Sequence, residues 1–195
     1  MRILRADDLI EVPWKNGGGT TREIATGITD QHVVWRISRA DVAQDGAFSD
    51  FTGFIRILTV VSGGGMVLEH ENGTLDAELW DPVRFDGNLR INSRLTRGAL
   101  TDLNLMFDPT FCEGDVIVRR GPFEQVILRP AFGIVALHVL SGGPTMNAAR
   151  LTTGDTAFLD EADAALSLGD GDAMLEIRLR YLDLSDNVKL CIGKP

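Results

Sequence analysis

"ILTVVSGGG", residues 57–65, is an apolar, β-branched run that stops at a turn of small residues. A similar stretch, "ALHVLSGGP", occupies residues 136–144, and both contain Ser-Gly-Gly at the same place. Runs of this kind, bounded by glycine, predict β-strands that end in tight turns. Because the pattern occurs twice in one short chain, we interpret it as the duplication of a β domain.

The second copy leads into a series of short alternating strands. Residues 152–179, "TTGDTAFLDEADAALSLGDGDAMLEIRL", alternate apolar strands with turns that contain Gly-Asp. This order is typical of the small β-barrels of the cupin class. We therefore predict an all-β fold of two double-stranded β-helix (cupin) barrels in tandem, a bicupin. Residues 1–195 would form one unit, with an N-terminal barrel in about 1–110 that carries the pocket motifs and a degenerate C-terminal barrel in 111–195.

The rest of the chain also favours strands. Apolar segments predict strands near residues 54–61, 66–68, 99–107, 116–118 and 126–128, and Asn72-Gly73 predicts a hairpin turn. No long segment keeps the 3.6-residue period of an amphipathic helix. Residues 7–11 and residues 160–166 each indicate at most a single helical turn.

Composition narrows the class of protein. A formal net charge of -9 over 195 residues argues against a general nucleic-acid binder, which would normally present a basic face. No apolar run approaches the roughly 18 residues of a membrane-spanning helix, and acids interrupt the N-terminus where a signal peptide would stay apolar. Cys112 and Cys191 match no metal-ligand spacing and suit free thiols. We therefore expect a cytoplasmic protein that binds neither nucleic acid nor membrane.

The histidines do not predict a metal site. Metal-binding cupins typically place two histidines two residues apart, a carboxylate shortly after them and a further histidine on a later strand. This chain has only His32, His70 and His138, and the position two residues after His70 is Asn72. Three scattered histidines cannot assemble a usual zinc or iron site. We expect no metal and no cofactor.

"PWKNGGGTTREI", residues 13–24, is the least ordinary loop in the chain. A nucleotide-binding P-loop has its lysine after the glycines and a helix behind it, whereas here Lys15 precedes them and a strand follows. Gly17, Gly18 and Gly19 could let successive N–H groups converge on a carboxylate, beside the charge of Lys15, the amide of Asn16 and the indole of Trp14. The alternative is a wide turn held by the packing of Trp14.

Polar residues interrupt several apolar strands. Alternation places Arg36 and Ser38 on one face of a strand, and Asp102 and Asn104 on one face of another. Arg56 lies inside the apolar run 54–61. A polar group inside a barrel needs a hydrogen-bonding partner, and an arginine there is a natural fork for a carboxylate. The alternative is that Arg56 and Asp102 pair with each other or with solvent.

Taken together, these segments resemble the HutD/Ves family of bacterial two-barrel cupins. The resemblance rests on residues 13–24, on "WRISRADVAQDGAFSDFTGFIRILTVVSGGG" at 35–65, on "RFDG" at 84–87 and on "DLNLM" at 102–106. It implies a ligand-binding set of Trp14, Lys15, Asn16, Gly17, Gly18, Gly19, Thr21, Arg36, Ser38, Phe48, Arg56 and Asn104. It also implies a link to histidine utilisation, where HutD is thought to sense or limit flux by binding an acid such as urocanate or formylglutamate.

One departure from the family pattern concerns the buried-arginine motif. Where the family suggests Phe-Pro-Gly-x-Asp-Arg, this chain has Phe-Thr-Gly-Phe-Ile-Arg at residues 51–56. The acid beside the arginine is missing, so Arg56 lacks one candidate partner. Its absence either frees Arg56 for a ligand or indicates a ligand different from the family's.

Three functional hypotheses follow. The leading one is a metal-free, regulatory cupin that binds a small, urocanate- or formylglutamate-like carboxylate, with a homodimer as a candidate assembly. The second is a metal-independent isomerase or hydrolase of a small organic acid, with Glu23, Asp102 or His70 transferring the proton. The third is a protein-interaction module, which predicts a barrel filled by its own side chains and an exposed apolar patch.

Overall fold

A computed structural model of the protein describes residues 1–30, 32–182 and 188–193. Residue 31 and the segments 183–187 and 194–195, which belong to the predicted unit 1–195, lie outside the described residues. The described residues form strands and one short 3-10 turn at Ala6–Asp8, so the all-β prediction is confirmed. No helix in them is long and apolar enough to cross a bilayer.

The strands run through the whole described chain. The first eleven are β1 (Arg2–Leu4), β2 (Glu11–Pro13), β3 (Gly19–Ile28), β4 (Val33–Val42), β5 (Gly46–Ala47), β6 (Ile55–Gly63), β7 (Met66–His70), β8 (Gly73–Ala77), β9 (Val83–Asp86), β10 (Asn92–Leu95) and β11 (Leu100–Phe107). The other nine are β12 (Cys112–Arg120), β13 (Phe123–Ile127), β14 (Gly133–Ser141), β15 (Thr145–Met146), β16 (Ala149–Arg150), β17 (Thr156–Leu159), β18 (Ala164–Leu168), β19 (Ala173–Tyr181) and β20 (Lys189–Ile192).

These strands form two compact clusters. The N-terminal cluster contains residues 10–111 and takes up β20 from the far end of the chain. The C-terminal cluster contains residues 112–182 and takes up residues 1–9, including β1. The division predicted from the sequence, between residues 110 and 111, lies one residue from the boundary between the clusters. The sequence did not indicate that each cluster includes a segment from the other end of the chain.

Each cluster contains one large sheet and one small sheet. In the N-terminal cluster the large sheet has the order β2-β3-β4-β11-β6-β9, with β20 also pairing β3, and the small sheet is β5-β10-β7-β8. In the C-terminal cluster the sheets are β1-β17-β14-β19-β12 and β13-β18-β15-β16. Apolar side chains form a separate buried core in each cluster, as expected when the apolar faces of two sheets meet.

The strand register supports the duplication inferred from the repeated sequence. Leu58 and Leu137 hold equal places in the two copies and lie on β6 and β14. Leu58 pairs with Asn104 on β11, and Leu137 pairs with Glu176 on β19. Both pairings also contain a register shift near the Ser-Gly-Gly turn. The two clusters therefore repeat one strand arrangement, which explains why the same phrase occurs twice in the sequence.

Three local predictions need correction. Residues 160–166 do not form a helical turn, because Ala164–Leu168 is a strand that pairs with β13. The helical turn predicted at residues 7–11 lies at Ala6–Asp8 instead. In the predicted hairpin, His70 pairs with Gly73, so the turn residues are Glu71 and Asn72 rather than Asn72 and Gly73.

Candidate functional site

A cavity of about 660 Å³ lies in the N-terminal cluster. Its walls come from the β2 segment and the loop after it, from β3, β4, β6 and β11, and from β5 with the loop that follows. The lining residues are Val12, Pro13, Trp14, Lys15, Asn16, Thr21, Glu23, Arg36, Ser38, Ala40, Ala47, Phe48, Ser49, Phe51, Arg56, Asp102, Asn104 and Met106. A barrel filled by its own side chains, as the interaction-module hypothesis predicts, does not fit this cavity.

Strand alternation brings the predicted polar residues together. Arg36 and Ser38 on β4, and Asp102 and Asn104 on β11, all line the cavity. Ser38 pairs directly with Asn104 across the two strands. The predicted faces of both strands are therefore confirmed, because paired residues in an antiparallel sheet point to the same side.

Arg56 is the central cation of this site. It lies on β6 and is only 4% exposed. Its Nη2 donates a hydrogen bond of 2.8 Å to Oδ1 of Asn104, and its buried Nε has no hydrogen-bond partner. No carboxylate among the described residues forms an ion pair with it, so the direct Arg56–Asp102 pairing considered from the sequence is absent. A buried guanidinium in this state is costly unless a further partner arrives.

Three phenyl rings surround the Arg56 guanidinium. Its Cζ lies 5.0 Å from the ring centre of Phe48, 5.1 Å from that of Phe51 and 5.0 Å from that of Phe85. Aromatic faces stabilise a cation at such distances. They also exclude water, which strengthens any ion pair formed at this position. The rings partly replace the hydration of Arg56 without supplying the negative charge that it lacks.

Asp102 is a buried carboxyl in the same wall, only 1% exposed. Nδ2 of Asn104 donates a hydrogen bond of 2.5 Å to its Oδ1. Burial, the largest effect, raises the pKa of Asp102 to about 7, although Arg56 acts in the opposite direction. Burial also lowers the pKa of Arg56 to about 10. Asn104 thus bridges a cation and a carboxyl, each of which burial shifts toward its neutral form.

Glu23 and Arg36 form a separate pair in the cavity. Nε of Arg36 lies 2.9 Å from Oε2 of Glu23, and both side chains keep part of their surface exposed. This pair balances its own charge. It therefore leaves Arg56 as the buried cation of the cavity without an ion-paired carboxylate.

The triple-glycine loop does not line the cavity. The N–H of Gly17 donates to the carbonyl of Trp14 at 3.0 Å, and the N–H of Gly18 donates to Oδ1 of Asn16 at 3.0 Å. A Cβ on Gly19 would lie 2.2 Å from the carbonyl oxygen of Asp41. The N–H groups of Gly17 and Gly18 are thus used within the loop, and Gly19 permits a close approach of two strands. This arrangement favours the turn over a carboxylate nest.

The residues before the glycines form part of the cavity wall. Trp14, Lys15 and Asn16 all line it, and Lys15 is exposed. Nε1 of Trp14 donates a hydrogen bond of 2.7 Å to Oγ1 of Thr21, which also lines the cavity. Trp14 packs as well against the core of the N-terminal cluster. The two sequence readings of this loop thus apply to different residues, because the glycines form the turn and their neighbours form the wall.

His70 lies outside the cavity. It is the last residue of β7, and its Nδ1 accepts a hydrogen bond of 3.3 Å from the N–H of Asn72. Proton transfer by His70 in this cavity is therefore ruled out by its position in the hairpin. Within the described part of the chain, no group of three or more His, Cys, Asp or Glu residues could hold a metal ion.

Several lining residues were not singled out from the sequence. Phe51, Phe85 and Met106 contact or line the site. Met106 has a signal in the alternation, because it lies two residues after Asn104. Phe51 reaches Arg56 from the loop five residues before it, and Phe85 reaches it from β9, with which β6 pairs. Neither contact has a signal in the strand alternation.

The C-terminal cluster carries a different polar arrangement at the equivalent place. Glu176 is fully buried there, and its Oε2 lies 2.8 Å from Nε of Arg119. Its other oxygen pairs with Nε of Arg178. Both carboxylate oxygens are therefore occupied by arginines of the same cluster, in contrast to the unpaired cation of the N-terminal cluster.

Comparison with known proteins finds a family model and related proteins that match most of the chain. The family model described as HutD matches residues 6–176. Protein Ves of Citrobacter koseri is 36% identical over 160 residues, 80% of this chain and 81% of that protein. An uncharacterized 21.2 kDa protein in the hutC 3′ region of Pseudomonas putida is 39% identical over 112 residues, 56% of this chain and 59% of that protein.

Solved structures give the same result for the fold. HutD from Pseudomonas fluorescens SBW25 matches with a TM-score of 0.80 and 27% identity, over 93% of this chain and 98% of that chain. A bacterial pirin from Escherichia coli matches with a TM-score of 0.68 and 10% identity, over 93% of this chain and 99% of that chain. Both neighbours are cupin folds, so the tandem cupin prediction is confirmed.

Proposed function

The chain belongs to the HutD family, and on that premise we propose that its N-terminal cavity binds a small carboxylate without the help of a metal. The observation that carries this proposal is the state of Arg56. It is buried, lines the cavity, holds a single hydrogen bond to Asn104 and has an unpartnered Nε. A ligand carboxylate would form the direct ion pair that Arg56 lacks and would accept hydrogen bonds from its free N–H groups.

The cavity walls support a small acid with an apolar body. The volume of about 660 Å³ is in the usual range for small-molecule sites. Val12, Ala47, Phe48 and Met106 supply apolar surface beside the polar residues. Such walls suit a planar or short-chain acid, and a urocanate- or formylglutamate-like compound is the ligand class we propose.

A regulatory role in histidine utilisation completes the proposal. It is supported by family membership and by the Pseudomonas putida relative, whose description places it in the hutC 3′ region. A cytoplasmic location and a homodimeric state are further parts of this proposal. A deletion strain growing on histidine should accumulate pathway intermediates if the protein limits flux, and growth on glutamate is the control condition.

The direct test is calorimetric titration of dialysed protein with urocanate, N-formylglutamate and the neutral amide of each. We expect the acids to bind and the amides not to bind. Arg56→Met should weaken binding by about 30-fold or more, because removing one partner of a buried charge pair costs about 2–5 kcal/mol. Arg56→Lys should give an intermediate loss, because it keeps the charge but not the planar fork.

A matched control is Arg94→Met, which removes a half-exposed arginine paired with Glu69 in the same cluster. It should bind the acids as the unchanged protein does. The proposal fails if no acid binds below millimolar concentration, or if folded Arg56→Met binds as tightly as the unchanged protein.

Asp102 gives specific support to a second candidate, a metal-independent isomerase or hydrolase. A cavity carboxyl whose pKa lies near 7 is suited to proton transfer at neutral pH, and Glu23 is the other carboxylate of the wall. Turnover of a candidate acid, followed by NMR, should then disappear in Asp102→Asn and fall in Glu23→Gln. Binding without any turnover would leave the binding function alone.

A further inference from the structure

The charges around Arg56 are already balanced without a ligand when Asp102 is ionised. Arg56 and Asp102 are linked through the two ends of the Asn104 amide. Arg36 and Glu23 form their own pair. The remaining charged residue of the wall, Lys15, is exposed and solvated. A ligand carboxylate beside Arg56 would therefore add one uncompensated negative charge to the buried part of the wall, which is unfavourable.

We infer that the cavity takes up a carboxylate together with one proton, and that Asp102 holds this proton. The inference rests on the proposed carboxylate binding at Arg56. Once the ligand becomes the counter-charge of Arg56, an ionised Asp102 would be a buried anion whose side chain keeps one bond from Asn104. Protonation removes this charge. It also gives the carboxyl an O–H group that can donate a hydrogen bond to a ligand oxygen.

Asp102 is the carboxyl that takes the proton, because the other carboxylates near it are paired with arginines. The charged groups around it are Arg36, Arg39 and Asp41 on β4 and Arg56 on β6, which both pair with β11, Arg22 and Glu23 on β3, which pairs with β4, and the exposed Lys15 in the loop before β3. Asp41 accepts hydrogen bonds from Arg22 at 2.6 Å and from Thr101 at 2.7 Å. These bonds outweigh its burial and hold its pKa below the usual value, so it stays ionised. Glu23 is held by Arg36.

The direction of the pH effect follows from the state of Asp102 before binding. Its pKa of about 7 means that the free protein is already protonated there at lower pH. Above that pH each binding event must bring its own proton. The apparent association constant should therefore be level in mildly acidic solution and fall about tenfold per pH unit above pH 7. At pH 8 binding should take up close to one proton.

Formate is the probe for the test, because it carries a carboxylate and no other titrating group. Calorimetry of the whole protein in buffers of different ionisation enthalpy gives the number of protons taken up. Carbon NMR of the Asp102 carboxyl, with and without excess formate, gives the shift of its titration. We expect proton uptake at pH 8 and a titration midpoint that moves to higher pH with formate.

Asp102→Asn should bind formate without proton uptake and with a level pH profile, whereas Asp76→Asn, an exposed site on β8, should behave as the unchanged protein does. Formate binding with no proton uptake and an unmoved Asp102 titration overturns this inference and leaves carboxylate binding intact. No formate binding and an unmoved titration overturns both. The NMR titration uses the unchanged protein, so it decides the matter even if Asp102→Asn does not fold.

Discussion

Arg56 on β6 and Asn104 on β11 are diagonal neighbours on paired strands, two residues apart in the register, and share a hydrogen bond of 2.8 Å. The same amide donates to Asp102. We predict that Asn104→Leu, which keeps the size of the side chain and removes both bonds, lowers the free energy of unfolding by about 1–3 kcal/mol, because two buried polar groups lose their partner. Urea denaturation measures this change.

The control for that substitution is Asn92→Leu, an exposed site on β10. It should stay within about 0.5 kcal/mol of the unchanged protein. Equal stabilities of Asn104→Leu and Asn92→Leu would contradict the bridging role of the amide.

Substitutions in the glycine turn should separate a structural role from a binding role. Gly17 has a φ of 70° and open space around it, whereas a Cβ on Gly19 would collide with the Asp41 carbonyl. We predict that Gly17→Asn, which tolerates this φ, leaves carboxylate affinity unchanged. Gly19→Ala should lower the melting temperature and weaken binding, because β3 and the Trp14 ring must shift. A loss of affinity in well-folded Gly17→Asn would restore the glycine nest as a binding element.

Trp14 should report on the occupancy of the cavity. It lines the cavity, whereas Trp35 and Trp80 are not among the lining residues. We predict that a bound acid changes the tryptophan emission, and that Trp14→Phe removes the change while the protein still binds by calorimetry. An emission change that persists in Trp14→Phe would mean that the ligand acts on another part of the chain.

The raised pKa of Asp102 predicts how stability depends on pH. Its folded value of about 7 lies above the ordinary value of 3.8, so the folded state holds the proton more tightly than the unfolded state does. Asp102 therefore lowers the free energy of unfolding progressively as pH rises from about 4 to about 7, and the reduction is constant above pH 7. We predict that Asp102→Asn gains stability relative to the unchanged protein between pH 5 and pH 8.

Urea denaturation at the two pH values measures that difference, with Asp76→Asn as the control. Comparing variants at each pH cancels the opposite effect of carboxylates with lowered pKa, such as Asp41 and Asp155. A stability difference that does not change with pH would mean that Asp102 is ionised throughout.

Much of the site follows from two-residue alternation. Arg36 and Ser38, and Asp102 and Asn104, were placed on common faces because side chains in a strand alternate and a barrel has one interior. The family resemblance identified Trp14 and Arg56 as wall residues before any contact was known. These predictions succeed because they depend on local geometry or on long, specific motifs.

Other features depend on contacts between distant parts of the chain. The packing of the Phe85 ring on Arg56 and the addition of β1 and β20 to distant strands join residues far apart in sequence. The Glu23–Arg36 pair and the contact of Phe51 with Arg56 join nearby segments, but they depend on how the chain turns between them. The glycine loop was ambiguous for a different reason. Its sequence permits either a nest or a turn, and the hydrogen bonds from Gly17 and Gly18 decide between them.

The equivalent positions of Asn104 and Glu176 have an evolutionary consequence. In the C-terminal cluster a carboxylate pairs with two arginines, and in the N-terminal cluster a neutral amide lies beside an arginine that has no ion-paired carboxylate. The C-terminal cluster, whose buried charges are paired internally, can tolerate substitutions as long as it still folds. Selection on ligand specificity can then act on the N-terminal cluster alone. Related proteins can therefore change their ligand while the C-terminal cluster keeps its structure.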